Sequence, residues 1–92
     1  MTAREFPTHS LVLTSYLVWR GISPLRMELD GDETVVWVFE WSEDILAART
    51  TLNGGDALVE PFSYNRAHQG VKRRMMEYLR EHRASRHARA AS

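Results

Sequence analysis

Residues 34–41, T-V-V-W-V-F-E-W, form the most apolar run in the chain, and the patterns on either side can be placed around it. Valine, tryptophan and phenylalanine suit a pleated, half-buried surface, and eight residues is a strand length rather than a helix length. Upstream, Leu25, Met27 and Leu29 alternate with Arg26 and Glu28 as a second strand, and Asp30-Gly31 is a hairpin signal between the two. Register decides which side chains share a face, because a slip of one residue turns each of them over. A two-residue loop would place Leu25 and Met27 beside Val36 and Val38. A three-residue loop with Gly31 left-handed groups Leu25, Met27, Val35, Trp37 and Phe39 on one face and Arg26, Glu28, Thr34, Val36, Val38 and Glu40 on the other. The second segregates polarity better and is the predicted register.

Helical spacing governs the flanks. From about Ser10 to Arg20 the run L-V-L-T-S-Y-L-V-W reads as a helix, because Gly21-Ile22 behind it can close a Schellman cap with Ile22 packed back on Leu17. Thr8 or Ser10 is its N-cap, and Leu13, Tyr16 and Leu17 form its buried face. Ser42, Glu43 and Asp44 start a second helix, with Ile45, Ala48 and Leu52 at helical spacing and Asn53-Gly54-Gly55 as its stop. Residues 57–59 read as a short extended piece available as a third strand, and Pro61 suits the first turn of the last and longest helix.

In that helix Tyr64, His68, Val71, Met75, Tyr78 and His82 make a continuous seam. Opposite stand Arg66, Arg73 and Arg80 at seven-residue intervals, a ridge roughly 21 Å long with Lys72, Arg83 and Arg74 on its flanks. Gly70 weakens the helix by about 1 kcal/mol relative to alanine and is the place where it could split. Beyond Arg83 no apolar face remains, so residues 84–92 are expected to be a frayed or disordered basic tail. The predicted architecture is α+β: N-terminal helix, antiparallel β-hairpin, helix, short third strand, long basic helix. Residues 1–9 form an extended N-terminus and residues 10–83 one small domain. A two-stranded sheet is marginal alone, so either the helices cover it or a second copy pairs with its edge.

Ninety-two residues suffice for one core, and the absence of cysteine excludes disulfides, Cys-based zinc sites and thiol catalysis. Glu5 and Pro7 stand where a signal peptide needs an apolar core, and the apolar segment after them is too short to span a bilayer, so a cytoplasmic protein is expected. The net charge of zero hides a split. Residues 1–65 carry ten acids and four bases, −6, while residues 66–92 carry eight bases and two acids, +6. Eleven of the twelve bases are arginine, which binds phosphate and carboxylate bidentately, although a GC-rich genome also produces that bias.

The order of these motifs can be compared with known families. Y-L-V-W-R-G closing the first helix, V-W-V-F-E in the hairpin, N-G-G ending the acidic-started helix and V-E-P leading into the basic one together resemble a small uncharacterised family found in bacteria and their phages. The resemblance covers roughly residues 11–79. It implies a small cytoplasmic or phage-encoded domain and carries over no activity or site.

Catalytic equipment is not recognisable. No serine sits in a G-x-S-x-G or S-x-x-K arrangement. The histidines are scattered at positions 9, 68, 82 and 87, and His68 and His82 are about 21 Å apart along a helix, too far to share a metal. His68 reads as a hydrogen-bonded residue at the core edge. Asp30-Gly31-Asp32-Glu33 lacks the further oxygen ligands of a calcium loop and reads as a solvated turn. Trp37, Phe39 and Trp41 could be a base-stacking platform, but their alternation with polar positions reads as core, with Trp41 partly exposed. No cofactor, metal, small-molecule substrate or membrane association is expected, and no enzyme.

The arginine ridge is the one feature able to carry function. Arg66, Lys72, Arg73, Arg80 and Arg83 could contact phosphates, giving a non-enzymatic module that binds nucleic acid. Glu77 could instead pair with Arg73 and Arg80 and leave a merely solvated face. Ribbon-helix-helix and winged helix-turn-helix do not fit, because the strand is bulky and apolar and the hairpin precedes the helices. The alternative function is a protein-interaction or adaptor domain that self-associates through the hairpin sheet, with Val36, Val38 and Trp41 facing the partner.

Overall fold

The computed structural model describes residues 4–31 and 34–91, with side chains through Arg83. The elements run β1 (Glu5–Thr8), α1 (Leu11–Trp19), β2 (Arg26–Asp30), β3 (Thr34–Glu40), α2 (Glu43–Asn53) and α3 (Pro61–Ala91). They form an α+β domain in which the apolar run β3 is the middle strand of a three-stranded antiparallel sheet of order β1-β3-β2.

The hairpin register is the one with the three-residue loop. Asp30 pairs with Thr34, Leu29 with Val35 and Met27 with Trp37, and Gly31 takes φ +76°. Val35, Trp37 and Phe39 consequently join Leu13, Tyr16 and Leu17 of α1, Ile45 and Ala48 of α2, and Val71 and Leu79 of α3 in one core. Both predicted helix stops close as Schellman motifs. After α1, Gly21 at φ +91° donates to the Val18 carbonyl and Ile22 to the Leu17 carbonyl. After α2, Gly55 at φ +77° donates to Leu52 and Asp56 to Thr51. Satisfying the last carbonyls this way requires a residue that tolerates positive φ. At the other ends, Ser10 and Ser42 accept from the N–H groups of Leu13 and Ile45.

The structure corrects the place of the third strand and the end of the α3 seam, and it resolves the open point at Gly70. The third strand is not at residues 57–59, which lie outside any strand, but at Glu5–Thr8, where Phe6 pairs with Phe39 and Pro7 with Val38. Proline lacks the N–H for an inner ladder and fits only an edge strand, which is what β1 is. The N-terminal stretch is thus part of the sheet. Gly70 does not split α3, which is continuous for 31 residues. Finally, the core line on α3 turns from Met75 to Leu79, which is buried, while His82 stays exposed with its Nδ1 at 3.0 Å from the Tyr78 carbonyl. An apolar side chain one position off a seven-residue repeat takes the core place because an α-helix has 3.6 residues per turn, not 3.5. The backbone of α3 stays helical to Ala91, through most of the segment predicted to fray; the side chains of residues 84–92 lie outside the described ones.

The second sheet face has its own cover. Arg26 on β2 donates to both carboxylate oxygens of Glu5 on β1, at 2.9 and 2.6 Å, and to Glu28 at 2.6 Å. Strands lie about 4.8 Å apart, so the Arg26–Glu5 pair spans the width of β3. Beneath it Val38 is 2% and Val36 9% exposed, although neither belongs to the helix-side core. A long arginine stem shields apolar surface in this way while its head stays in water.

Candidate nucleic-acid interface

What turns α3 is fixed at its first two turns. Glu60 precedes Pro61, and its carboxylate accepts from the N–H groups of Phe62, at 3.1 Å, and Ser63. The Ser63 hydroxyl first, and those two N–H groups next, hold the Glu60 carboxyl below its ordinary pKa, with the Arg66 charge adding to the effect. Trp19 Nε1 at the end of α1 donates to Ser63 Oγ at 2.9 Å. One turn on, Ser15 Oγ, fully buried in α1, is hydrogen-bonded at 2.8 Å to His68 Nδ1, whose ring stacks on Tyr64. His68 is therefore a satisfied core-edge residue, as its place on the seam suggested. Burial also pushes the Tyr64 phenol pKa up. With Trp19, Ser15 and the Val71–Leu79 core holding one side of α3, the opposite side is committed to solvent.

All five predicted phosphate contacts are exposed, with Arg66, Arg73 and Arg80 on that outer side and Lys72 and Arg83 on its flank. At 3.6 residues per turn, Arg66, Arg73 and Arg80 fall within about 40° of one line. Among the described residues Glu77 makes no ion pair with Arg73 or Arg80; the pairs His9–Asp30, Arg26–Glu5 and Arg26–Glu28 lie on the sheet and its edges. Arg74, on the flank of the ridge, is exposed but turns toward the fold, with its guanidinium carbon 5.4 Å from the centre of the Trp37 ring.

An aromatic residue on the same face escaped the sequence reading. Phe62 is 82% exposed, although the turn it belongs to is tightly capped. Together with Asn65, Arg66, Gln69, Gly70 and Arg73 it lines a shallow open groove. The spacing Phe62, Arg66, Arg73, Arg80 is four, seven and seven, so extending the arginine line one turn back would have found the aromatic. Gly70 has no packing reason to be glycine: a Cβ there would meet nothing within 4 Å, and its φ is not positive.

Of the residues read as partner-facing, Val36 and Val38 are buried under the Arg26 network, and Trp41 is 37% exposed with the Arg4 guanidinium 5.7 Å from its ring centre. Phe39 and Trp37 are fully buried, so the aromatic stripe of β3 is core. Among the described residues no cluster of metal-ligating side chains occurs, and no helix is long and apolar enough to cross a membrane.

No curated protein and no solved structure matches the chain. A family model described as a domain of unknown function, DUF5659, matches residues 3–79, from just ahead of β1 to the last core residue of α3. That match spans most of the chain and every strand of the sheet, and the protein belongs to the DUF5659 family of domains of unknown function.

Proposed function

We propose that this domain is a non-enzymatic module that binds nucleic acid through the outer face of α3, with Arg66, Arg73 and Arg80 on phosphates and Lys72 and Arg83 beside them. The observation that carries it is the line of three exposed arginines on a helix whose other side is spent on the core, with none of the three held in an ion pair among the described residues. Phosphate neutralisation by such a line releases counterions, so affinity falls steeply with salt. The reading places the protein in the cytoplasm of a bacterium or phage-infected host, as its motif order implies. Titrating labelled DNA and RNA between about 50 and 300 mM salt tests it. Binding at the low end that weakens with salt and is lost in Arg73→Glu is expected; no binding at the low end, or an unchanged Arg73→Glu, overturns it.

A second reading, an interaction domain that self-associates, is supported by the edge of β2. Among the described residues β2 has one neighbour, β3. Two copies of β2 related by a two-fold axis at Met27 would set Arg26 opposite Glu28 of the second copy, and Leu25, 53% exposed, opposite Leu29. Opposite charges and paired apolar side chains across a new ladder favour that register. Mass in solution across a concentration series tests it: a dimer disrupted by Met27→Pro is expected, and a monomer at every concentration removes it.

A further inference from the structure

Resting on the nucleic-acid reading, we infer that the groove on α3 takes a single-stranded segment: a base stacks on Phe62, its edge meets the Asn65 and Gln69 amides, and the flanking phosphates lie on Arg66 and Arg73.

Three features of the groove point the same way. An aromatic ring 82% exposed on a capped, well-fixed turn offers a flat apolar surface that the fold does not use. Bases in a single strand have open faces to stack on such a ring, whereas in a duplex those faces are covered by neighbouring pairs. Asn65 and Gln69 lie one turn apart in the same lining, and each amide carries donors and an acceptor suited to base edges. Gly70 supplies the third. Glycine in mid-helix is unfavourable, and here neither a positive φ nor a close neighbour demands it. What its missing side chain does is lower the surface between Arg66 and Arg73, where a ligand can approach the helix backbone closely.

An anionic membrane surface is the competing ligand for a helix face carrying Phe62, Met76 and arginines. A helix lying in a lipid interface keeps a continuous apolar face. Here the middle of the face is Asn65, Gln69 and Arg66, with Phe62 and the 54% exposed Met76 separated by nearly four turns. The polar centre favours a nucleic acid.

The test is fluorescence anisotropy of the full chain with a labelled single-stranded oligonucleotide of mixed sequence, its matched duplex, and anionic phosphatidylserine vesicles. Single strand is expected to bind more tightly than duplex, with Phe62→Ala weakening the single strand about tenfold while barely moving the duplex, and Phe62→Trp restoring affinity. Because Phe62 touches solvent over most of its surface, Phe62→Ala is expected to fold, which circular dichroism checks. Single strand and duplex bound alike and both indifferent to Phe62→Ala would overturn the stacking site while leaving phosphate binding by the arginines standing. Absence of binding to either oligonucleotide in low salt would remove the nucleic-acid reading itself, and vesicle binding lost in Phe62→Ala without oligonucleotide binding would transfer the face to lipid.

Discussion

The Arg74 guanidinium lies over the Trp37 ring, 5.4 Å from its centre, and so ties α3 to the middle strand of the sheet. Trp37 is fully buried, and its Nε1 has no hydrogen-bond partner among the described residues, so the ring face is where this tryptophan meets a charged group. Arg74 and Arg73 are neighbours in sequence with opposite duties. Arg74→Ala is expected to lower stability by about 1 kcal/mol, through the cation–π contact and the lost stem packing, while keeping most nucleic-acid affinity. Arg73→Glu is expected to do the reverse. Denaturant melts and anisotropy on the same two variants separate the roles; equal loss of binding in both would erase the distinction.

Gly70→Ala gives a result of two signs. Alanine in an open helix interior gains about 1 kcal/mol over glycine, and a Cβ at this position meets nothing within 4 Å, so the variant is expected to melt higher. Affinity for single strands is expected to fall, because the added methyl fills the floor of the groove. A variant both more stable and equally tight in binding would show that the glycine has no ligand role.

The Ser15–His68 bond sets how α1 and α3 face each other. His68→Phe preserves a ring that can stack on Tyr64 but leaves the buried Ser15 hydroxyl without its partner, a loss of about 1–3 kcal/mol. The doubly changed chain, Ser15→Ala with His68→Phe, should recover part of it. Urea melts of the two single variants and the double one measure the coupling.

Two carboxylates set the acid limb of stability. Glu5, held low first by its hydrogen bond to Arg26, and Glu60, held low first by the Ser63 hydroxyl, both have folded-state pKa values below their ordinary ones. The unfolded chain therefore takes up protons more readily. Their contribution is present in full above the ordinary carboxylate range and is lost as pH falls through the depressed folded-state values. Both groups are solvent-exposed, so salt also weakens the Glu5–Arg26 part. Melts from pH 7 down to about pH 3 are expected to show a shallower acid decline in Glu5→Gln with Glu60→Gln than in the parent; parallel curves would contradict the assignment.

Much of this architecture was legible because the signals were local. Asp30-Gly31 with alternating neighbours was enough for the hairpin and its register, and Gly21-Ile22 and Asn53-Gly54-Gly55 marked two helix ends that close as expected. β1 was not legible, since four residues with a proline carry little strand signal and their partners lie far along the chain, from Thr8–Trp37 to Glu5–Glu40. The arginine line was visible as a seven-residue repeat. Phe62 was hidden by the helix start it belongs to, and the pinning of Arg74 by Trp37 depends on a packing no spacing rule contains. Covering Val36 and Val38 with an arginine from one edge strand and a glutamate from the other likewise needs the sheet order, which only the fold supplies.

The most direct measurement is a titration of the full chain and Arg73→Glu against a labelled single-stranded oligonucleotide at about 50 and 200 mM salt. Binding by the parent chain that weakens by an order of magnitude or more at the higher salt, together with its loss in Arg73→Glu, is the predicted result. An absence of binding at the lower salt, or equal binding by the two chains, would contradict it.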